Sequence, residues 1–314
     1  MKTVLKYLCG LFTVPYTLLF PATSYPQTKK VVLITGASRG IGKETAIHLA
    51  EQGHIVYATM RQPDTSQIVA EKGEKFLERL FLKKLDVTNE DNCRQVVEEI
   101  LQKEGCIDVL LNNAAEAVFG CAEMVTIDQA KRVFDVNLFG CLRMIQAVLP
   151  AMRKQNKGLI LNMSSVGGFR PSGPFDLYVS SKFALEGLSE NLAISLSRWN
   201  INVVLIEPGP VATEFCETST GFGSRFEKEQ NPYSLFVYNF SEWIKKKLKE
   251  GQSPKEIAFL IEEIINTEKP HFRYQTSDRI KKDAEDRFRD PTGDLLIKEK
   301  QKSYETFWRS NGID

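Results

Sequence analysis

The stretch "VVLITGASRGIG", Val31 to Gly42, decides the fold. Its first four residues are aliphatic and mostly β-branched, the composition of a buried strand, and Thr35 leads into a turn carrying Gly36, Gly40 and Gly42. The residues that follow, "IGKETAIHLAEQG", read as a helix stopped by Gly53. A strand, a glycine turn and a helix in that order gather backbone N–H groups and a helix N-terminus at one point, where they suit a pyrophosphate. A tight connection without a ligand is the plain alternative.

Working outward, short aliphatic runs alternate with amphipathic helical stretches. Strands are expected at "HIVYAT" (54–59), "LFLKKLDV" (80–87), "DVLLNN" (108–113), "GLILNMS" (158–164) and "NVVLIE" (202–207). A long helix is expected to open at an N-cap on Thr126 and to run through "TIDQAKRVFDVNLFGCLRMIQAVLPAMRKQ", and another to begin near Tyr178. This alternation predicts an α/β fold: one doubly wound parallel sheet with crossover helices and a C-terminal helical lid. After Glu207 the chain becomes rich in Gly, Ser and Thr and then in aromatic residues, the texture of a loop feeding that lid.

Composition removes several function classes. The chain of 314 residues holds 41 basic and 40 acidic residues, so no global field draws in nucleic acid. The 6 cysteines show no paired spacing and no histidine nearby, so neither a metal site nor a disulfide framework is indicated. Residues 1–29 stand apart. Lys2 and Lys6 precede an apolar run from Leu8 to Phe20 and the small residues Ala22, Thr23 and Ser24, which suits a cleaved signal or an uncleaved membrane anchor. The main domain then occupies 30–314, with the lid and C-terminal extension from about 214.

"YVSSK", Tyr178 to Lys182, puts a phenol and an ammonium four residues apart on one helical face. A nearby cation favours phenolate, so the pair suits proton transfer, although a solvated Tyr and Lys on a surface helix would show the same spacing.

"TGASRGIG" resembles the glycine turn of the short-chain dehydrogenase/reductase family, and other motifs of that family follow in order: "LDVT" (85–88), "LNNAA" (111–115), Asn137 in "DVNLFG", "SSVGG" (164–168), "YVSSK" and "PGPVAT" (208–213). "HFRYQT" and "RDPTG" further resemble the branch containing 17β-hydroxysteroid and retinol dehydrogenases. One departure is Ala115, where the family usually has Gly.

The resemblance implies an oxidoreductase acting on CH–OH groups. Tyr178 would donate a proton to the carbonyl oxygen, or accept one in reverse. Lys182 would lower the Tyr178 pKa and hold the nicotinamide ribose, and Ser165 would stabilise the developing alkoxide, Ser164 being the competing assignment. Asn137 would hold a water that joins Lys182 to solvent, unless it is a helix-interior polar group satisfied by backbone. Gly36, Ser38, Arg39, Gly40, Ile41 and Gly42 would cradle the dinucleotide. Asp86 and Val87 would meet the adenine, Asn113 the adenosine ribose and Thr213 the carboxamide. Asp86 could equally cap the next helix.

Charge argues for the form of the cofactor, since NADP carries a 2′-phosphate that suits arginine, whereas NAD suits an acid on the ribose. The second strand ends in "ATMR" with Arg61 and no acid in the usual place, and Arg39 adds a second cation, so NADP(H) is expected over NAD(H). Phe215, Phe236, Tyr238, Phe240 and Trp243 suit a lipophilic substrate such as a steroid or retinoid, or are simply core. A homodimer through the helices near 126–153 and 178–200 is implied by the family. Membrane association with the catalytic domain in the cytoplasm is expected, export after signal cleavage being the alternative. A catalytically silent NADP(H)-binding sensor or scaffold is the competing function.

Overall fold

The computed structural model describes residues 29–64, 76, 78–171, 173–218, 221–225 and 231–310, so the N-terminal segment read as a signal or anchor lies outside the described residues. Among them the strands are β1 (Val31–Ile34), β2 (Ile55–Met60), β3 (Leu80–Lys84), β4 (Val109–Asn112), β5 (Gly158–Met163), β6 (Ile201–Glu207) and β7 (Arg273–Gln275). They form one sheet in the order β3-β2-β1-β4-β5-β6-β7, with every neighbouring pair parallel. Val32 of β1 lies beside Val56 of β2 on one side and Val109 of β4 on the other, so the chain reverses its direction of winding at β1 and β4. Such a reversal opens a crevice beyond the carboxyl ends of the two strands.

The helices are α1 (Gly40–Glu51), α2 (Glu90–Glu104), α3 (Ile127–Phe134), α4 (Gly140–Gln155), α5 (Asp176–Leu196), α6 (Phe215–Thr218), α7 (Ser234–Lys249), α8 (Pro254–Asn266), α9 (Asp278–Phe288) and α10 (Asp294–Ser310). Alternate residues of β1 serve opposite faces, as the period of a strand requires. Val32 and Ile34 join Leu49 of α1 and Ile261 of α8 on one face. Val31 and Leu33 join Val97 of α2 and Met144, Ile145 and Val148 of α4 on the other. Both faces are therefore covered, which explains why the strands read as continuous apolar runs.

Three details differ from the sequence-based expectation. The third strand stops at Lys84 because the Asp86 carboxylate accepts from the Thr88 N–H at 3.0 Å and from its hydroxyl at 2.7 Å, folding the chain into a turn. The short edge strand β7 carries no signal in the sequence, since "RYQ" has no apolar pattern. The helix opened by Thr126, whose side chain forms a capping box with Gln129, passes through one π-helical stretch at Asp135–Phe139 before continuing as α4. Ile127–Gln155 is long and apolar enough to cross a membrane, but Met144, Ile145, Val148 and Met152 are buried against the sheet, so its apolarity is that of a core helix.

Candidate active site

The crevice at the β1/β4 reversal is a cavity of about 1040 Å³. Its floor is the glycine turn. Gly36 has φ +66°, and a Cβ there would lie 2.7 Å from the Ala114 Cα, so the turn both needs a left-handed residue and lets two backbones touch. At Gly42 an added Cβ would meet the Asn113 Nδ2 and the Gly36 oxygen, each at 2.6 Å, which makes this position a packing requirement. Asn113 ties the turn down, donating through Nδ2 to the Thr35 and Gly36 carbonyl oxygens at 3.0 Å each. The Thr35 hydroxyl in turn accepts from the Asn113 and Ala114 N–H groups at 3.0 and 3.1 Å.

The donor set suits a dinucleotide. At the N-terminus of α1, Arg39 occupies the N-cap without a capping hydrogen bond from its side chain, and the first turn carries no acid. Ser38, Arg39, Gly40 and Ile41 all line the cavity, so the uncapped end of the helix and its positive dipole are directed at whatever fills it. Arg61, at the end of β2, lines the same space, as do Asp86, Val87, Asn113 and Thr213. Burial pushes the Asp86 carboxyl up, but the two Thr88 hydrogen bonds and then Arg61 and Arg132 hold it below the usual range. The cap of the next helix is Asn89, whose side chain accepts from the Asn92 N–H, so Asp86 shapes the turn before α2 without capping it.

The other wall carries the chemistry. Ser165 follows β5, Tyr178 sits in the first turn of α5, and Lys182 stands one turn further on. All three border the cavity, and Tyr178 and Ser165 share a side-chain hydrogen bond. Burial pushes the Tyr178 phenol up to about 12, with the Ser165 bond opposing. Its surroundings explain this, since the rings of Phe175 and Phe215 lie 6.0 and 5.6 Å from that of Tyr178. The Lys182 ammonium is brought down to about 8 by burial and donates to the Met163 carbonyl oxygen at 2.7 Å. It lies 5.7 Å from the centre of the Tyr178 ring. In this arrangement burial, rather than the lysine, governs the phenol.

Three residues named from the sequence do not line the cavity: Gly42, Asn137 and Tyr238. Asn137 is fully buried in the π-helical stretch, accepting from the Glu116 N–H at 2.8 Å and donating to the Glu116 carbonyl and the Ser181 hydroxyl, both at 2.9 Å. It links the strand-end loop after β4 to α5, one residue before Lys182. The two serines also part company: the Ser164 hydroxyl donates to the Glu186 Oε1 at 2.5 Å and is 3% exposed.

Beneath Ser164 lies a charged cluster that sequence reasoning missed. Arg273 Nε is 3.2 Å from Glu186 Oε2 and 3.2 Å from Glu207 Oε1, while Gln275 donates to the other Glu207 oxygen at 2.5 Å. Burial and then the Glu186 charge raise the Glu207 carboxyl to about 7, and burial raises that of Glu186 against the bonds from Ser164 and Arg273. A signal was available in the four-residue spacing of Lys182 and Glu186 along α5; the partners on β6 and β7 come from distant segments and left none.

Comparison with known proteins agrees with this geometry. A family model described as short chain dehydrogenase matches residues 30–221. The chain is 36% identical over 244 residues to a 3-ketodihydrosphingosine reductase of Bacteroides thetaiotaomicron, covering 78% of this chain and 86% of that protein. It is 35% identical over 280 residues to human retinol dehydrogenase 8, covering 86% and 88%. Identity to human 17-beta-hydroxysteroid dehydrogenase type 1 is 35% over 282 residues, covering 86% and 84%. Among solved structures, a short-chain dehydrogenase from Streptomyces avermitilis superposes with a TM-score of 0.73 at 29% identity, covering 92% of this chain and 100% of that one. With its parallel sheet, its glycine turn and its ordered motifs, the chain belongs to the short-chain dehydrogenase family of NAD(P)-binding oxidoreductases.

Proposed function

We propose that this protein is an NADP(H)-dependent oxidoreductase that interconverts a carbonyl and an alcohol on a lipophilic substrate. The observation that carries this reading is the hydrogen-bonded pair of Tyr178 and Ser165 opening on the same cavity as the glycine turn and Arg61. NADPH, when bound, supplies the hydride. Gly36 to Ile41 would hold its pyrophosphate, and Arg39 and Arg61 would face its 2′-phosphate.

Tyr178 delivers the proton to the substrate oxygen, and Ser165 steadies the charge growing there through its hydroxyl. A phenol with a raised pKa is a reluctant acid, so Lys182 would act during the reaction by stabilising the phenolate that Tyr178 becomes as its proton leaves. Asn137 positions this pair by holding Ser181 between them in sequence. The aromatic lining favours an apolar body: the rings of Phe175, Phe240 and Phe307 follow one another at 5.8 and 6.4 Å, and Trp243 lies 5.3 Å from Phe240. The named activities of the steroid, retinol and ketodihydrosphingosine relatives support a lipid-like substrate.

The same reading includes a homodimer and an N-terminal signal or membrane anchor, with the catalytic domain in the cytoplasm. For the dimer, Phe139, Phe183 and Ile194 are exposed on the helical segments that would pair. The deciding experiment is NADPH oxidation against steroid ketones, retinal and long-chain ketones, with Tyr178→Phe alongside. Turnover that falls at least about a thousand-fold in the variant supports the reading. NADPH binding with no tyrosine-dependent turnover would point to the silent sensor instead.

A further inference from the structure

The cavity wall changes character along α10. Phe307, Tyr304 and Lys300 border the cavity from successive turns of that helix, and at about 1.5 Å per residue they span roughly 10 Å. At one end, Phe307 packs on Phe236 at 5.7 Å and Tyr304 on the same ring at 5.3 Å. At the other end, Lys300 faces a group of charges from three segments: Arg170 from the loop after β5, Arg279 and Asp283 from α9, and Glu299 beside it on α10.

An apolar substrate pocket has no need of such a group. The Arg170 side chain is 13% exposed and pairs with Asp283 and, at 2.6 Å, with Glu299. Its Nε is buried and has no hydrogen-bond partner among the described residues. Arg279 and Lys300 form no ion pair among those residues. Burial lowers the Lys300 pKa, Arg170 lowers it further, Glu299 opposes and Arg279 adds to the lowering. Among the described residues that line this end of the cavity, three cations stand against two carboxylates, one positive charge in excess. That excess would be relieved by an anion and aggravated by an ammonium group.

We propose that Arg170, Arg279 and Lys300 form an anion-recognition patch in the substrate cavity, so that the preferred substrate is an apolar carbonyl or alcohol compound bearing a carboxylate or phosphate at one end. This deepens the oxidoreductase reading and rests on it for turnover, but not for binding. The length of the aromatic wall sets the spacing, an apolar body of roughly 10 Å before the charge.

The test has two independent readouts on the full chain. The first is calorimetric titration with decanoate, decyl phosphate, decanol and decylamine in the presence of NADPH. The patch predicts binding of at least one anion about ten-fold tighter than decanol, the scale of a charge-assisted hydrogen bond, with decylamine weakest. The better of the two anions identifies the head group. In Lys300→Gln the preference should fall toward two-fold while NADPH affinity stays the same. Equal binding of decanoate, decyl phosphate and decanol overturns the proposal, as does tighter binding of decylamine. A loss of NADPH affinity in Lys300→Gln also overturns it, because the patch would then belong to the cofactor.

The second readout is kcat/KM for a long-chain keto acid against its methyl ester. A preference for the acid that Lys300→Gln removes supports the patch, and equal turnover of both counts against it. Anion-selective binding without turnover of either compound leaves the patch standing and sinks the oxidoreductase reading. Turnover without anion selectivity does the reverse.

Discussion

The Lys182 ammonium donates a 2.7 Å hydrogen bond to the carbonyl oxygen of Met163, the last residue of β5, from a side chain that is almost wholly buried. A cation buried in that place costs stability. Its pKa falls from 10.5 to about 8 in the folded chain. The unfolded chain therefore binds more protons between those values, and stability rises as pH climbs through that window. Below about pH 8 the cost is fully present.

Lys182→Met should accordingly be more stable than the parent at pH 7 while losing turnover. A shift of this size corresponds to up to about 3 kcal/mol, from which about 1 kcal/mol is taken by the unmade bond to Met163. Thermal unfolding at pH 7 and pH 10 checks it, with the advantage shrinking at the higher pH. A variant less stable at pH 7 would show that the lysine is better solvated than its surroundings imply.

Glu207 has the opposite dependence. Its folded pKa is raised to about 7 from 4.5, so the native state holds the extra proton, and stability is lost as pH rises between those values. Glu207→Gln keeps the shape and removes the charge, leaving Arg273 to Glu186. The variant should gain stability relative to the parent at pH 8 and gain little at pH 4.5, as read from denaturant midpoints at both. An equal effect at both pH values would mean that the carboxyl is not protonated by burial beside Glu186.

The parts of the site legible from the sequence are those held by local spacing. The glycine turn, the Tyr178–Lys182 helical pair and the cap at Thr126 each depend on residues within a few positions, and six of the seven strands announce themselves as apolar runs. What escaped depends on segments that meet only in the fold. Arg273 and Gln275 belong to a three-residue edge strand without an apolar pattern, yet they reach the buried carboxyls of α5 and β6. Arg170 reads as an ordinary loop arginine until α9 and α10 bring Asp283 and Glu299 to it. The sequence reading also placed Lys182 as the control on the phenol, whereas the aromatic surroundings that raise it come from Phe175 and from Phe215 in a later segment.

Arg61 tests the cofactor assignment. It stands on the cavity at the end of β2, where its charge helps hold the Asp86 carboxyl low. Arg61→Ala should weaken NADPH by about ten- to a hundred-fold, the scale of one charge-assisted contact to phosphate, with NADH changed much less. Fluorescence titration of both nucleotides measures the ratio. Equal loss for the two would assign Arg61 to a part of the dinucleotide that they share.

Ser164 and Ser165 are adjacent, but they should fail in different ways. The Ser164 hydroxyl is spent on Glu186 at 2.5 Å inside the buried cluster. Removing it leaves a buried carboxyl short of a donor, so Ser164→Ala should cost about 1–3 kcal/mol of stability and change kcat less than ten-fold. The Ser165 oxygen accepts from the Gly167 N–H at 3.1 Å and shares a bond with Tyr178 at the cavity. Ser165→Ala should lower kcat by about a hundred- to a thousand-fold, the range for losing one donor to a developing oxyanion, with little change in stability. Parallel kinetics and denaturant unfolding of the two variants separate these outcomes. If Ser164→Ala lost turnover and Ser165→Ala kept it, the oxyanion donor would be the buried serine, which also borders the cavity.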